Sequence, residues 1–350
     1  MTQKSSSITI REVARKAGVS VATVSRYINH NASISPAVAE RLEKVMNELN
    51  YVPHAAARHL ASRKTRVIGL LLTNMHNDFF GPLLSGVEMI VRMMGYDLIV
   101  ATYRHDLDGA GGHTPIGAHN SDGLLVFADS LDDQQLRQLY EKKFPIVLIH
   151  RTPPADLPIP YVTVENRAAT RRLIDHLIEV HGRCSIVFMH GPANQEDSRW
   201  REAGYRASLV AHGLAFDPNL IIRGDFERDI AETSMRAFLK SDHPDFDAVF
   251  TGDDDAAIGA LIALKEAGYR VPDDISVVGF DDQESSAFLD PPLTTVRAPT
   301  ELVGRVAGEN IFALLQGSSV DPVTLLSTDV IIRQSCGCPE VSVQRREEVE

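Results

Sequence analysis

Hydrophobic residues recur with two different periods along the 350-residue chain, and the change comes near Val67. Before Val67, apolar residues return every three or four positions, which is the spacing of amphipathic helices. After it, apolar runs of five to eight residues alternate with longer amphipathic stretches. The pattern predicts a small helical N-terminal part followed by a larger α/β part.

Residues 9–29 read TIREVARKAGVSVATVSRYIN and predict two short helices joined by a tight turn. Thr9 and Glu12 have the spacing of a capping box, which starts the first helix. Gly18 permits the left-handed conformation that ends this helix, and Ser20 caps the second. The second helix is expected to expose a polar, basic face made of Val21, Ala22, Thr23, Ser25, Arg26 and Asn29.

Two helices in this arrangement are typical of the helix-turn-helix unit, whose second helix enters the DNA major groove. An ordinary helical hairpin in a core fits the same spacing. The charge distribution favours DNA binding. Residues 1–66 contain eleven Lys or Arg and four Glu, a net charge of +7, and the whole chain carries −12, so the remainder carries −19. A basic face that serves only solubility does not explain why the charge coincides with the helix pair.

A third helix is predicted to begin at Ser35-Pro36, where serine can cap and proline occupies the first helical position. Its apolar residues would cover the first two helices and complete a three-helix domain that ends near residue 53. The following residues, 54–66, are rich in alanine and poor in large apolar side chains. Such a segment is either a flexible linker or a helix that forms only when it is held.

The α/β part reads as short buried strands separated by helices. Strands are predicted at 67–73, 97–101, 123–129, 145–150, 184–190, 247–253 and 275–282. Helices are predicted at 80–94, 132–143, 166–180, 196–212, 229–240 and 254–267. About a dozen strands are too many for one ordinary sheet, so we expect two doubly wound parallel sheets in two lobes that separate near residues 161–167.

Composition excludes several classes of protein. We expect a cytoplasmic protein, because the sequence shows no apolar run of about 18 residues and no secretion signal. The cysteines Cys184, Cys336 and Cys338 agree with a reducing compartment. Since no second cysteine pair or histidine cluster is near Cys336 and Cys338 in the sequence, all three are interpreted as structural and no metal site is expected.

No sequence signature of an enzyme is present: the motifs GxGxxG, GxxxxGK[ST], GxSxG and HExxH are absent, and we expect no cofactor. Polar residues collect instead where predicted strands end, which is where open α/β sheets bind small ligands. These are His150, Arg151, Asp197, Trp200, Arg201, Asp253 and Asp281. Carboxylates, an arginine and an aromatic ring suit a polyhydroxylated ligand, although each aspartate alone could merely cap a helix.

Seven motifs in order resemble the LacI/GalR (lactose-repressor) family of bacterial transcription regulators across residues 8–339. They are TIREVARKAGVSVATVSRYIN, ELNYVPHAAARHLA, NDFFGPLLSGVE, GYR, DISVVGFDD, PPLTTV and RQSCGCP. The resemblance implies a homodimer, sometimes a tetramer, that binds double-stranded pseudo-palindromic operator DNA. It also implies a hinge helix at 54–62, in which Leu60 wedges into the minor groove.

The resemblance assigns DNA contacts to Thr9, Val21, Ala22, Thr23, Ser25, Arg26, Asn29, Tyr51, His54, Ala57, Leu60 and Ala61. Among these, Val21, Ala22 and Arg26 would read bases, since arginine can bind guanine through two hydrogen bonds. His54 stands where the family often has asparagine. For the effector, Arg201, Asp253 and Asp281 match family positions, His150-Arg151 replaces a frequent Asp-Arg, and Phe79 or Trp200 would stack on a sugar ring.

The implied fold is a helix-turn-helix domain at 1–53, a hinge at 54–66 and a two-lobed periplasmic-binding-protein-like core at 67–339, followed by a disordered tail at 340–350. The N-lobe would comprise 67–164 and 298–327, and the C-lobe 165–297 and 328–339. Crossings between lobes are expected near 162–166, 294–298 and 325–330. Residues 105–120, which are rich in glycine, replace an amphipathic helix of the family.

The leading hypothesis is a repressor of carbohydrate uptake or catabolism genes that a sugar effector releases from its operator. The alternatives are a corepressor-dependent regulator with a non-sugar ligand, a solute-binding protein and a nucleotide-dependent enzyme. The basic N-terminal part argues against the solute-binding protein, and the missing phosphate-binding motifs argue against the enzyme.

Overall fold

A computed structural model describes residues 8–28, 34–49, 51, 64–104 and 114–339. The chain divides into two compact units, residues 1–65 and residues 66–350. The predicted hinge helix, most of the glycine-rich segment and the predicted tail lie outside the described ranges, as do Asn29, His54, Ala57, Leu60 and Ala61.

The first unit contains the three predicted helices, α1 (Ile10–Ala17), α2 (Val21–Ile28) and α3 (Pro36–Glu48). At the start of α1, the Glu12 carboxylate accepts hydrogen bonds from the Thr9 backbone N–H at 2.7 Å and from its hydroxyl at 3.0 Å. Gly18 ends α1 in the left-handed conformation, with φ of 63°, and this permits the sharp turn into α2. The side chain of Ser35, contrary to the sequence prediction, makes no capping hydrogen bond.

Small and β-branched side chains form the core of this unit. Val13, Val24 and Leu42 are fully buried, one from each helix, and Ala14, Ala17 and Val45 surround them. Because only one side of α2 enters the core, its opposite side is left exposed.

The second unit has two lobes. The first lobe contains a six-stranded sheet in the order β11-β5-β4-β3-β1-β2, in which every pairing is parallel. Its strands are β1 (Val67–Leu72), β2 (Asp97–Thr102), β3 (Gly123–Phe127), β4 (Ile146–Ile149), β5 (Tyr161–Val164) and β11 (Val323–Leu326). Its helices are α4 (Phe80–Met93), α5 (Asp133–Glu141) and α10 (Thr300–Leu315). β1, β3 and β4 are buried along their whole length, which explains why they appear in the sequence as continuous apolar runs.

The other lobe has a four-stranded parallel sheet in the order β7-β6-β8-β9. Its strands are β6 (Ile186–His190), β7 (Ile221–Arg223), β8 (Ala248–Thr251) and β9 (Ser276–Val278). Its helices are α6 (Arg167–His181), α7 (Glu196–Ala211), α8 (Arg228–Lys240) and α9 (Asp254–Glu266). In the two sheets the strand order reverses at equivalent places, between β1 and β3 and between β6 and β8, and ligands bind at such reversals.

The two lobes are joined by short crossings. β5 leads into α6, and β10 (Thr295–Arg297) pairs with β12 (Asp329–Ile331) in a small antiparallel sheet. Short 3₁₀ turns occur at Pro218–Leu220, Glu284–Ala287 and Gln334–Cys336. No helix within the described ranges is long and apolar enough to cross a membrane.

Ile116 covers part of β1 and β3 from the segment that connects β2 to β3. Residues 114–122 form turns, and the Ile116 side chain, 1% exposed, packs on β1 and β3. A Cβ atom at Gly69 would lie 2.3 Å from Ile116 Cγ2, so this glycine makes the approach possible. One buried side chain of the connecting segment therefore covers this part of the sheet.

The close contact between α4 and α10 depends on Gly304. A Cβ atom there would lie 2.2 Å from the backbone oxygen of Leu83. We therefore expect Gly304→Ala to lower the free energy of unfolding by about 1–3 kcal/mol through overpacking, measured by chemical denaturation. Gly81→Ala is the matched control, because a Cβ atom at Gly81 in α4 meets nothing within 4 Å. Equal stabilities of the two variants would refute this account of the helix contact.

Candidate ligand cavity and nucleic-acid interface

A cavity of about 690 Å³ opens between the two lobes, where both sheets reverse their strand order. The first lobe contributes residues that follow β1 and β3, including Thr73, Asn74 and Asp129. The second contributes His190 at the end of β6 and Asp253 just after β8. The volume lies within the range of small-molecule sites, about 300–1,000 Å³.

Arg201 is the centre of the polar network on the cavity wall, and it is only 3% exposed. Its Nε donates to Asn166 Oδ1 at 2.9 Å, its Nη2 donates to Asp281 Oδ1 at 3.2 Å, and its Nη1 donates to the Gly252 carbonyl. The guanidinium Cζ also lies 3.7 Å from the centroid of the Phe280 ring. The charge is thus paired and stacked, as a buried arginine requires.

Asp197 lies one helical turn before Arg201 on α7 and completes this network. Its Oδ1 accepts a hydrogen bond from Asn166 Nδ2 at 2.8 Å, and its Oδ2 lies 2.8 Å from His150 Nδ1. Burial raises the pKa of Asp197, but the attraction of His150 and Arg201 outweighs it and leaves the pKa below its ordinary value. Asp197 is therefore an ionised acceptor.

Two further carboxyl groups of the cavity have the opposite tendency. Burial, and then repulsion from Asp281, hold the pKa of Asp253 well above its ordinary value. Burial also raises the pKa of Asp281, against the opposing effect of Arg201. The Asp253 side chain accepts from the Ala256 N–H at 2.9 Å, so it both caps α9 and lines the cavity. The site thus combines acceptors with a carboxyl that tends to keep its proton.

Aromatic rings face the cavity from both lobes. Phe79 and Phe127 line it from the first lobe, with their ring centroids 5.8 Å apart. Phe226, which the sequence analysis missed, lines it from the second lobe. A Cβ atom at Gly191 would lie 2.1 Å from Phe226 Cζ, so this glycine makes room for the ring. Phe226 comes just after the end of β7. The strand-end rule, that open α/β sheets bind ligands at the carboxyl ends of their strands, would therefore have found it.

Backbone strain is concentrated around this site. His150, Asp225, Phe226 and Asp281 have φ between 53° and 104°, a region that residues other than glycine rarely occupy. Each of them follows a strand at the cavity end of its sheet. Strained residues persist where the surrounding structure fixes them, and they are common in ligand sites.

Three of the predicted effector residues do not line the cavity. His150 lies behind the wall, with its ring 6.0 Å from Phe79 and 5.5 Å from Phe127. Arg151 turns away to the Leu131 carbonyl and the Asp133 carboxylate. Trp200 is 49% exposed, since it lies about 100° around α7 from Arg201.

The strand-end rule also missed Asn166 and Asn77. Asn166 joins Asp197 to Arg201 from the crossing between β5 and α6. Asn77 lines the cavity, and its Oδ1 is buried without a hydrogen-bond partner among the residues that the structure describes. An amide oxygen of this kind is available to a ligand donor.

In the first unit, α2 exposes the face that was predicted to bind DNA. Val21, Ala22 and Arg26 are exposed, and Val21 is 42% exposed despite its apolar side chain. Thr23 and Ser25 are half-buried. The Thr23 N–H donates to Ser20 Oγ at 3.1 Å and so caps α2. Thr9 is exposed just before α1.

Among the described residues predicted to contact DNA, Tyr51 is the most buried. It is only 9% exposed and packs in the core of the three helices. Its backbone N–H donates to the Met46 carbonyl at 2.9 Å, and burial raises the pKa of its phenol. Tyr51 therefore packs against the three helices, and its contact with DNA stays a prediction.

The buried carboxyl of Asp254 supports the loop that carries Asp281. It accepts hydrogen bonds from Gln283 N at 2.9 Å and from the hydroxyls of Ser286 and Thr295, both at 2.6 Å. Burial raises the pKa of Asp254 from 3.8 to about 7, against the opposing effect of the two hydroxyls. The folded protein therefore holds a proton here that the unfolded chain has lost, so stability falls as the pH rises between these values.

We expect Asp254→Asn to flatten this pH dependence. Relative to Asp254→Asn, the wild-type free energy of unfolding should fall by up to about 1.4 kcal/mol per pH unit between about pH 4 and pH 7. Denaturation at a series of pH values measures the difference. Asp255→Asn, which removes a neighbouring carboxylate paired with Arg228, should keep the wild-type slope. Parallel profiles of the wild type and Asp254→Asn would contradict the assignment.

Each of the two units of the chain matches a known protein family. Bacterial regulatory proteins of the lacI family match residues 9–54, and a periplasmic binding protein-like domain matches residues 174–336. The HTH-type transcriptional regulator CelR of Thermobifida fusca is 34% identical over 338 residues, which cover 93% of this chain and 98% of the relative.

Solved structures extend the likeness to nearly the whole chain. The complex of the transcriptional regulator CelR with cellobiose is 32% identical with a TM-score of 0.67, covering 94% of this chain and 99% of that one. The lac repressor dimer bound to operator and the anti-inducer ONPF is 26% identical with a TM-score of 0.77, covering 95% and 99%. Since these matches span both units, the chain belongs to the lacI family of bacterial regulatory proteins.

Proposed function

We propose that this regulator is a repressor that leaves its operator when a carbohydrate binds in the cavity between the lobes. The observation that carries the proposal is the composition of the cavity wall, which combines carboxyl groups and Arg201 with the aromatic rings of Phe79 and Phe226. Sugar hydroxyls both donate and accept hydrogen bonds, and the C–H face of a sugar ring packs on aromatic rings. The related CelR structure holds cellobiose, which supports a sugar ligand.

Each polar group has a role that its environment sets. Asp197, whose pKa is lowered, accepts from ligand hydroxyls, whereas Asp253, whose pKa is raised, can also donate. Arg201 uses three of its five N–H donors in the bonds to Asn166, Asp281 and Gly252. It therefore orients the carboxyl groups and retains donors for the ligand.

Asn166 couples the ligand-binding side chains to the crossing between the lobes. It bonds both Asp197 and Arg201 while lying between β5 and α6. A ligand that engages these two side chains changes the forces on the crossing and favours one arrangement of the lobes. We propose that this arrangement alters the spacing of the two hinge segments across a homodimer and weakens operator binding.

On the DNA side, we propose that the exposed face of α2 enters the major groove of a pseudo-palindromic operator. Arg26 can bind guanine through two hydrogen bonds, while Val21 and Ala22 contact thymine methyl groups. The related lac repressor binds its operator as a dimer, which supports two heads on two half-sites. Asn29, His54, Ala57, Leu60 and Ala61 remain proposed contacts. Acting on chromosomal DNA, the protein would work in the bacterial cytoplasm and catalyse no reaction.

The test is operator release by a defined compound. An operator is selected from random pseudo-palindromic DNA and labelled, and fluorescence anisotropy follows binding at fixed salt across a panel of sugars that includes cellobiose. Release by one sugar, with no effect on binding to scrambled DNA, is the expected result. Tightening by a ligand would show the corepressor alternative, and indifference to every compound that enters the cavity would refute effector control.

A further inference from the structure

Four side chains with metal-binding atoms meet in the second lobe, and none of them lines the ligand cavity. His176 and His181 lie in the last turns of α6, while Cys336 and Cys338 lie in the last described turn of the chain. Their ligand atoms all lie within 4.8 Å of one another. Ligand binding in the cavity does not explain this grouping, because the two histidines and the two cysteines are not part of the cavity wall.

The distances have the dimensions of a tetrahedral metal site. His176 Nε2 lies 3.6 Å from both Cys336 Sγ and Cys338 Sγ, and His181 Nε2 lies 3.3 Å from Cys338 Sγ. With Zn–S of about 2.3 Å and Zn–N of about 2.0–2.1 Å, a tetrahedron has S···N edges of about 3.6 Å. We propose that His176, His181, Cys336 and Cys338 together bind one zinc ion.

The local backbone explains how two cysteines that are two positions apart can share an ion. Gly337 between them has φ of 111°, which lets the chain turn so that both thiols approach the histidines. A Cβ atom at Gly337 would lie 3.1 Å from His181 Nδ1, so a side chain here would crowd that ring. Both the positive φ and the nearby His181 ring therefore favour glycine at this position.

Hydrogen bonds hold the cysteine turn in place without any metal. The Cys336 carbonyl accepts from Ser276 Oγ at 2.8 Å, and the Thr294 N–H donates to Ser335 Oγ at 2.8 Å. Ser276 in turn accepts from Arg183 Nε at 2.9 Å, just beyond α6. Both halves of the site are therefore anchored to the same part of the lobe, so binding needs little rearrangement.

The donor chemistry selects the ion. Two thiolates and two imidazoles are the ligands of structural zinc sites and are poor ligands for magnesium or calcium. Zinc binding would release the two thiol protons, and a cavity of about 480 Å³ beside His176 gives access from solvent.

The ion would fasten the turn that carries Cys336 and Cys338 to α6. Cys336 and Cys338 follow β12, which belongs to the crossing between the lobes, and α6 begins at the crossing that contains Asn166. The sequence analysis expected no metal site because no second cysteine pair or histidine cluster lies near Cys336 and Cys338 in the sequence, and the two histidines are about 160 residues away. Only the fold brings the two pairs together.

Metal content of the full-length, untagged protein tests the proposal. After chelation, reconstitution with zinc and removal of excess ion, elemental analysis should find about one zinc per chain. Cobalt substitution should give the thiolate charge-transfer and intense d–d bands of a tetrahedral site. Cys338→Ser should lose most of the zinc, whereas Cys184→Ser should retain it, because Cys184 is exposed and lies outside the cluster.

Two further measurements cover a variant that folds poorly. The wild-type protein should gain thermal stability with zinc, and zinc should protect the partly exposed Cys338 from alkylation while the exposed Cys184 reacts as before. Less than about one-tenth of an equivalent of zinc in the reconstituted wild type would overturn the proposal. So would equal loss of metal from Cys184→Ser, or a Cys336–Cys338 disulfide in fresh protein that excludes the ion.

Discussion

Arg201→Ala is expected to abolish the release of operator at the effector concentration that releases the wild type, while it leaves operator affinity without effector intact. The substitution removes the donor to Asn166, Asp281 and Gly252 and leaves the carboxylates of Asp197 and Asp281 without their common cation. Truncating one partner of a buried charge pair costs about 2–5 kcal/mol of binding free energy. Effector affinity should therefore fall about 30-fold or more.

The measurement is a titration of effector against the protein–operator complex, followed by anisotropy. Arg206→Ala is the matched control, since Arg206 lies on the same helix, is half-exposed and pairs with Glu202. This variant should respond to effector like the wild type. If Arg201→Ala were released at the wild-type effector concentration, Arg201 would have no part in the response.

Stability must be separated from response, because removing one partner of a buried ion pair can cost about 3–5 kcal/mol. Operator binding and circular dichroism of Arg201→Ala show whether it is folded at the assay temperature. Asn77→Ala supplies a second variant of the same cavity, since Asn77 Oδ1 has no partner within the described ranges to lose. It should weaken effector binding by about 0.5–1.5 kcal/mol and leave the fold unchanged.

The architecture of the second unit was predictable because buried parallel strands leave a strong hydrophobic signal. β1, β3 and β4 are buried on both faces and so read as unbroken apolar runs. The strand-end rule then located Asp253 and Asp281, whose positions follow directly from strand boundaries. Local sequence determines these features, so a single chain reveals them.

Features that depend on side-chain direction or distant segments could not be predicted in this way. Arg151 and Trp200 were predicted to lie in the site but point elsewhere, because neighbouring positions on a helix or loop face different directions. Asn166 joins the network from a crossing whose path the sequence does not determine. Tyr51 is distinguished from the exposed residues only by the packing of three helices.

Arg26→Ala is expected to remove much of the preference for operator over other DNA. Arg26 is exposed on α2, and a bidentate contact of arginine with guanine contributes about 1–3 kcal/mol of discrimination. Because a dimer uses the contact in both half-sites, the loss for the whole operator is expected to be about 2–6 kcal/mol. Binding to phosphates depends on the other cations of the unit, so salt-dependent binding to scrambled DNA should persist.

Anisotropy with operator and scrambled DNA over a range of salt concentrations separates these two effects. Arg41→Ala is the control, because Arg41 is an exposed cation on α3 instead of α2. It removes the same charge and should leave the ratio of operator to scrambled affinity near that of the wild type. If Arg26→Ala kept that ratio too, α2 would not read bases through Arg26. A fall in both affinities by one common factor would reduce Arg26 to a phosphate contact.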